Sequence, residues 1–170
     1  MISMKEYRTE RLILRPTSID DAEMMLQLLN SPKYIQNIGD RGVRTREDAM
    51  RYIQERFEPH YNKHGFGSFT LIKKYTSEKI GTCGLYVRPG LEVPDIGFAL
   101  FEDFENQGYG YESASHLIEK LSKDFHLEKV SAITSKTNLP SQKLIQKLGL
   151  RFKKRVVLPN EDEELLYYES

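Results

Sequence analysis

The feature that most restricts this chain is the run Asp95-Ile-Gly-Phe-Ala-Leu-Phe-Glu-Asp-Phe-Glu-Asn-Gln-Gly-Tyr-Gly-Tyr-Glu-Ser-Ala114, in which an apolar strand passes into a glycine-bearing loop and then a helix. Gly108 and Gly110 remove Cβ atoms where the chain must turn tightly, so successive N–H groups are free to face an anion. The helix beginning near Tyr111 adds its positive end, because first-turn amides lack intrahelical acceptors and the dipole favours phosphate. Ala114, Leu117, Ile118, Leu121 and Phe125 fall at helical spacing and leave Glu119, Lys120 and Lys123 on the solvent side. The same glycines also suit a plain strand-to-helix turn. A nucleotide P-loop is excluded, since no Gly-Lys-Ser/Thr follows. A Rossmann fingerprint fits poorly, because its third glycine is missing and no βαβ opening precedes the loop.

Around this unit the chain reads as one domain of 170 residues. Arg11 to Pro16 forms a first strand. Ser18 with Asp20 and Asp21 opens a helix through Leu29, which Asn30-Ser-Pro32 stops. A short turn holds Tyr34 and Ile35, and Asn37 to Arg44 is a polar loop with two glycines and two arginines. Thr45 and Asp48 begin a second helix, continued by Ala49, Met50, Ile53 and Phe57 until Pro59. Phe66–Ile72 and Ile80–Val87 are β-rich runs joined as a hairpin, and Asp95–Phe101 is the next strand. Beyond the central helix, Val130–Thr134 is a strand and Asn138 caps a helix carrying Leu144, Ile145 and Leu148 that ends at Gly149. Phe152–Leu158 and Leu165–Tyr168 close the sheet, with a solvated acidic turn at Asn160–Glu164. Strands outnumber helices around a strand–loop–helix–strand unit, which makes the fold class α/β with a mixed sheet.

Lys plus Arg equals Asp plus Glu at 25 each, so no overall field draws the surface to nucleic acid or membrane. The one cysteine, Cys83, lies among apolar residues and reads as a small core residue in a reducing compartment. Met1 to Glu6 lacks the apolar run of a signal peptide, and no stretch is long and apolar enough to span a bilayer. The expected location is the cytoplasm. His60 and His64 are four apart, but Pro59 and Gly65 bracket them and no third ligand is evident, so no metal is expected.

Three segments, Thr9-Glu-Arg-Leu-Ile-Leu-Arg-Pro16, Gln107-Gly-Tyr-Gly-Tyr-Glu112 and Asn138-Leu-Pro-Ser-Gln-Lys-Leu-Ile-Gln-Lys-Leu-Gly149, together resemble the GNAT acetyltransferases, in the branch that includes the ribosomal-protein acetyltransferases RimJ and RimL. The resemblance spans nearly the whole chain. It implies a mostly antiparallel sheet flanked by helices, and acetyl-CoA bound with its diphosphate on the loop and its pantetheine arm beside the preceding strand. Phe98, Ala99 and Leu100 would offer backbone hydrogen bonds to the pantetheine amides. Asn106, Gln107, Gly108, Tyr109, Gly110 and Tyr111 would form the diphosphate loop. Its first position, Gln or Arg in the family, is Glu105 here, where a carboxylate repels diphosphate unless it turns outward.

In many GNAT enzymes a tyrosine seven residues after the asparagine protonates the departing thiolate; here that position is Ile145. By the resemblance, Ser141 takes its place beside the sulfur, a workable exchange because a hydroxyl in the first helical turn can reach a thiolate. Ser141 also suits a serine bonding its own backbone. Asn138 is a cap or a cofactor contact, and Lys143 a phosphate neighbour or a solvated lysine. Amine acylation requires a neutral amine, and Asp95 is the candidate base, with Glu92 in reserve; a strand-end aspartate open to water is the alternative. Arg41 and Arg44, in the connection of the first two helices, would hold a carboxylate or phosphate on the acceptor, or else pair with Asp40 or Glu47.

The resulting expectation is direct acetyl transfer from acetyl-CoA to a primary amine, on a protein N-terminus or a small molecule, with no acetyl-cysteine at Cys83. A non-catalytic acyl-CoA-binding protein of the same fold is the alternative. A nucleic-acid-binding module lacks the basic stripe it needs. The oligomeric state, monomer or homodimer, stays open.

Overall fold

A computed structural model describes residues 5–170. Residues 1–4, which open the segment read above for a leader, lie outside the described residues. A single sheet runs in the order β1-β2-β3-β4-β5-β6-β8-β7. Its strands are β1 (Tyr7–Arg8), β2 (Leu12–Pro16), β3 (Ser68–Lys73), β4 (Lys79–Tyr86), β5 (Asp95–Leu100), β6 (Ser131–Ser135), β7 (Arg151–Val157) and β8 (Glu164–Glu169). Every neighbouring pair is antiparallel except β5 with β6.

Among the described residues six α-helices flank it: α1 (Ala22–Leu29), α2 (Pro32–Asn37), α3 (Arg46–Tyr52), α4 (Glu58–His64), α5 (Tyr109–Asp124) and α6 (Leu139–Lys147). The capping residues read from the sequence do their work. Thr45 and Asp48 form a reciprocal box at α3, and Ser18 and Asp21 form one at the short turn leading into α1. α1 ends at Leu29, as the stop at Asn30-Ser-Pro32 requires, and Pro32 also begins a helix that was not expected: it occupies the first position of α2, where its fixed φ suits a helix and its missing N–H costs nothing. Tyr34 and Ile35 therefore lie on a helix rather than in a turn.

Pro59, by contrast, does not end the second helix. A wider π turn, Ile53–Phe57, carries α3 into α4, and Pro59 falls in the first turn of α4, so the helix runs to Gly65. β1 was not read from the sequence, being only two residues long.

The core has two parts. Leu117 and Leu121 of α5, Ile145 of α6 and Leu14, Phe69, Leu71 and Leu85 of the sheet make one. Met25 and Leu28 of α1, with Val43, Ala49 and Ile53, make the other. β5 separates them: Ile96, Phe98 and Leu100 pack on the first, Ala99 and the following Phe101 on the second, as strand alternation requires. No described helix is long and apolar enough to cross a membrane.

Candidate active site

The site begins where the sheet comes apart. β5 and β6 are in register only at Asp95 and Ser131, where the Ser131 amide donates to the Pro94 carbonyl at 2.8 Å. From there β6 pairs with β8 on its other edge, and among the described residues Ile96 to Leu100 have no β6 partner. The alternation of ladder groups settles which residues face the gap. Phe101 donates its amide to Ile80 beside β4 at 3.0 Å, while Pro94 turns its carbonyl to β6. Phe98 and Leu100 thus present amide and carbonyl to the opening, and those of Ala99 turn to β4, against the expectation that all three would serve.

Beyond β5 the chain turns through Asn106 at φ 59° and Gly108 at φ 86°, two left-handed positions that aim the start of α5 back at the gap. α5 starts at Tyr109, two residues earlier than expected. Its first helical bond is Glu112 N–H to the Gly108 carbonyl at 2.9 Å, and no side chain caps it, so the amides of Tyr109, Gly110 and Tyr111 lack helical acceptors. Free amides of this kind are what the expected diphosphate cradle needs. The reason for Gly110 differs from the one expected: it lies inside the helix, and a Cβ there would stand 3.0 Å from Leu144 Cδ2. It lets α5 close against α6. Asn106 and Gln107 are exposed, and Gln107 bonds to the Asp103 carbonyl at 2.8 Å.

The loop is held from both sides. Lys33 of α2 puts its ammonium 2.7 Å from Glu105, which answers the repulsion expected of that carboxylate. On the other side Glu112 accepts from Thr9 Oγ1 at 2.6 Å, from the Arg11 amide at 3.0 Å and from Arg11 Nε at 2.8 Å. The Arg11 guanidinium lies 4.1 Å over the Tyr109 ring, beside Gly108. Burial raises the Glu112 pKa, but the hydrogen bonds from Thr9 and Arg11 outweigh it and leave it below its ordinary value. Lys147 of α6 sits 4.3 Å over Tyr111. Tyr109 is thus a packing residue, and Tyr111 lines an open concavity of about 600 Å³ with Arg11, Gly108 and His116.

Across the gap, Asn138 caps α6 by accepting the Ser141 amide at 3.3 Å. The Ser141 hydroxyl has no hydrogen bond of its own among the described residues, unlike the backbone-bonded serine considered from the sequence. Lys143 is exposed, and Ile145 is core.

Asp95 is not open to water. Its side chain is 2% exposed, and Arg88 Nε donates to it at 2.7 Å. Burial pushes its pKa up while Arg88 pulls the other way, with a net rise. Glu92 is exposed. Arg41 and Arg44 part company. Arg44 bonds to Asp40, to Asn30 Oδ1 at 3.1 Å and to the Val43 carbonyl at 3.1 Å, which is the simple pairing weighed beforehand. Arg41 is exposed and makes no ion pair among the described residues.

His60 is a strut. Val87 N–H donates to its Nε2 at 2.9 Å, so Nδ1 carries the proton and donates to the Phe66 carbonyl at 3.0 Å. Burial, then His64, lowers its pKa. Both nitrogens are engaged, which removes it as a metal ligand. Cys83 is fully buried and burial pushes its thiol up to about 12, so it is no nucleophile. The sequence reading missed Glu112, Lys33 and Arg88. Glu112 lay inside a quoted motif, but its partners Thr9 and Arg11 are a hundred residues away.

A profile of the acetyltransferase (GNAT) domain matches residues 11–151. The chain is 26% identical over 164 residues to the uncharacterized N-acetyltransferase YnaD of Bacillus subtilis (strain 168), covering 94% of this chain and 93% of that one. The acetyltransferase from Agrobacterium tumefaciens superposes with a TM-score of 0.83 at 24% identity, covering 100% of this chain and 96% of that one. RimL, a ribosomal alpha-N-protein acetyltransferase in complex with coenzyme A, superposes at 0.80 with 15% identity, covering 98% and 97%. With a split sheet, a glycine loop and a capped helix facing it, and a family profile over most of its length, the chain belongs to the GNAT acetyltransferase family.

Proposed function

We propose that the protein moves an acetyl group from acetyl-CoA directly to a primary amine. The observation that carries this reading is the single parallel pair Asp95–Ser131, after which β5 keeps an open edge leading to the Gly108 turn. Phe98 and Leu100 would bond the pantetheine amides as an added strand. The amides of Tyr109, Gly110 and Tyr111 would take the diphosphate, with Gly108 turning the chain toward it. Asn106, Gln107 and Lys143, all exposed, would meet the outer phosphates.

In the transfer the amine nitrogen bonds to the thioester carbonyl carbon, the carbon–sulfur bond breaks, and the sulfur leaves with the electron pair. Ser141, its hydroxyl uncommitted, would supply the proton to that sulfur. Asp95, enclosed and paired with Arg88, is better placed to fix that arginine than to touch an amine, so the ammonium proton would pass to water before attack. Ser141 in place of a phenol, with the Thr9–Pro16 opening, favours the RimJ/RimL-like side of the family, and with it a protein N-terminus among the acceptors.

Thiol release from acetyl-CoA, measured against a panel of primary amines and matched to acetylated product by mass, tests the reading. Amine-dependent release in equal yield supports it. Coenzyme binding with no amine-dependent release would establish the non-catalytic alternative instead.

A further inference from the structure

Beneath α4, where β2 ends and β3 begins, lies a cavity of about 230 Å³ that coenzyme binding does not use. It is on the face of the sheet opposite α5: Phe69 and Leu71 of β3 pack into the α5 core, so their neighbours Ser68 and Thr70 turn the other way. Phe57, Glu58, Tyr61 and Asn62 form its helical wall. Their spacing puts them on one side of the helix, at the point where the π turn Ile53–Phe57 passes into α4, and such turns frequently mark functional sites. Two aromatic rings and a carboxylate therefore meet there, and Glu58 has no hydrogen bond or ion pair among the described residues.

The sheet side of the cavity carries Thr17 and Ser68, and the protons there all run one way. Thr70 Oγ1 gives its only proton to Asp21 at 2.9 Å, and Asp21, clasped by Arg15 at 2.7 Å and Lys79 at 2.8 Å, is a carboxylate that only accepts. Thr17 must then donate to Thr70 at 3.1 Å, which leaves Ser68 to donate to Thr17 at 3.0 Å. With its proton spent, Ser68 offers lone pairs to anything else that approaches. A group that fits this cavity therefore donates hydrogen bonds and carries positive charge. That describes an ammonium, with Glu58 as counter-ion and the Phe57 and Tyr61 rings beside it.

The cavity is in line with the open edge of β5. Ser68, Gly84 and Gly97 are successive register partners across β3, β4 and β5, two strand spacings or about 10 Å in all. Gly97 is at the end of the open edge remote from the Gly108 turn, where the thioester would lie. Between the two, the Tyr86 ring fills the trough left by the glycines. Its hydroxyl stands 2.7 Å from where a Cβ on Gly84 would project, and its Cε2 3.1 Å from where one on Gly97 would. An aromatic floor thus joins the cavity to Gly97.

We infer that the acceptor carries a second nitrogen that stays protonated, about 10 Å from the amine that takes the acetyl group, and that this ammonium sits in the cavity against Glu58 and Ser68. The inference rests on the acyl-transfer reading for the amine at Gly97, and it names the substrate class: a free diamine, or a peptide with a lysine beside its N-terminus.

Matched probes test it: α,ω-diamines of graded length against n-alkylamines of the same length, and a short peptide with lysine in second place against one with norleucine there. Each is followed by thiol release and, independently, by calorimetric binding to the coenzyme-loaded protein. The doubly cationic member of at least one pair should be preferred about fivefold or more in kcat/KM and in binding, with a single best length among the diamines, and raised salt should erode the preference. Which pair shows it separates a free diamine from a peptide. Glu58→Gln should remove the preference by raising KM for the dication, with kcat and the monoamine little changed. Glu55→Gln, the same change at an exposed position of the same π turn, should leave it intact. Ser68→Ala, which takes an acceptor from the cavity while Thr17 keeps its bond to Thr70, is the second variant and should weaken the dication alone. Equal use of singly and doubly charged probes, or a Glu58→Gln variant that retains the preference, overturns the inference while leaving acyl transfer standing. Glu58-dependent binding of a dication with no thiol release would uphold the ammonium site and sink the transfer reading.

Discussion

Lys33 Nζ stands 2.7 Å from the Glu105 carboxylate, and the same ammonium lies 3.6 Å from Glu102, so α2 is tied to the segment that leads into the Gly108 loop. Glu105 occupies the one position where the loop departs from its family's usual residue. The lysine cancels a charge that would otherwise face an incoming diphosphate.

Removing that lysine should therefore weaken coenzyme binding. Lys33→Ala is expected to raise the coenzyme A Kd by about two- to fivefold at low salt, the pair being solvent-exposed and partly screened. Lys33→Ala with Glu105→Gln should restore wild-type affinity. Calorimetry at two salt concentrations checks both, and an unchanged Kd for Lys33→Ala at low salt would show that Glu105 is not sensed by the cofactor.

Glu112 gives the fold a pH dependence of predictable sign. Its folded pKa lies below its ordinary 4.5, because the bonds from Thr9 and Arg11 outweigh burial. A depressed folded value stabilises the fold above the unfolded pKa, and that stabilisation is lost as pH falls through the folded one. Glu112→Gln should cost about 1–3 kcal/mol at neutral pH. Denaturant titrations should show the gap between wild type and variant narrowing below about pH 4.5 as the wild-type carboxylate protonates.

Ser141→Ala should leave coenzyme affinity within about twofold while lowering kcat by about ten- to a thousandfold, since a proton donated to a leaving sulfur acts in the transition state. The amide bond to Asn138 is unaffected by the change, so the helix start survives. Turnover at the wild-type rate would assign the proton to another donor.

Cys83→Ala should retain turnover within about threefold, as expected of a buried thiol that never carries the acetyl group. Native protein should resist thiol alkylation and react fully once unfolded. Mass spectrometry after brief labelling reads both.

Local chemistry was legible in the sequence wherever neighbours in the chain decided it. The capping box at Thr45 and Asp48, the cap at Asn138, the hairpin from Lys73 to Glu78 and the left-handed Gly108 each depend on a few adjacent residues. Pro59 misled because a proline read as an end can sit in the first turn of a continuing helix, and Pro32, rightly read as following a helix end, also begins the next helix. Gly110 was identified as necessary, but its contact is Leu144, a long-range neighbour on α6. Arg44 meets Asp40, four residues back, and Asn30, fourteen residues back on the other side of α2, and only the second of these depends on the fold. Thr9, Arg11 and Glu112, and likewise Lys33 and Glu105, meet only when the sheet assembles, and no periodicity announces such pairs.

The single parallel pair at Asp95 has a consequence for the resting protein. The chain carries, inside its own sheet, a strand that is paired with β4 on one edge and beyond Asp95 has no ladder partner on the other, the arrangement that elsewhere invites another chain to dock edge to edge. Coenzyme A, lying along that strand, would act as a missing ninth strand and seal the invitation. Occupancy at about a hundred times Kd would then add about 2.7 kcal/mol of stability, and the unliganded protein, warmed or concentrated, should self-associate before the loaded one does. On this view the cellular supply of coenzyme guards the fold as well as feeding the reaction.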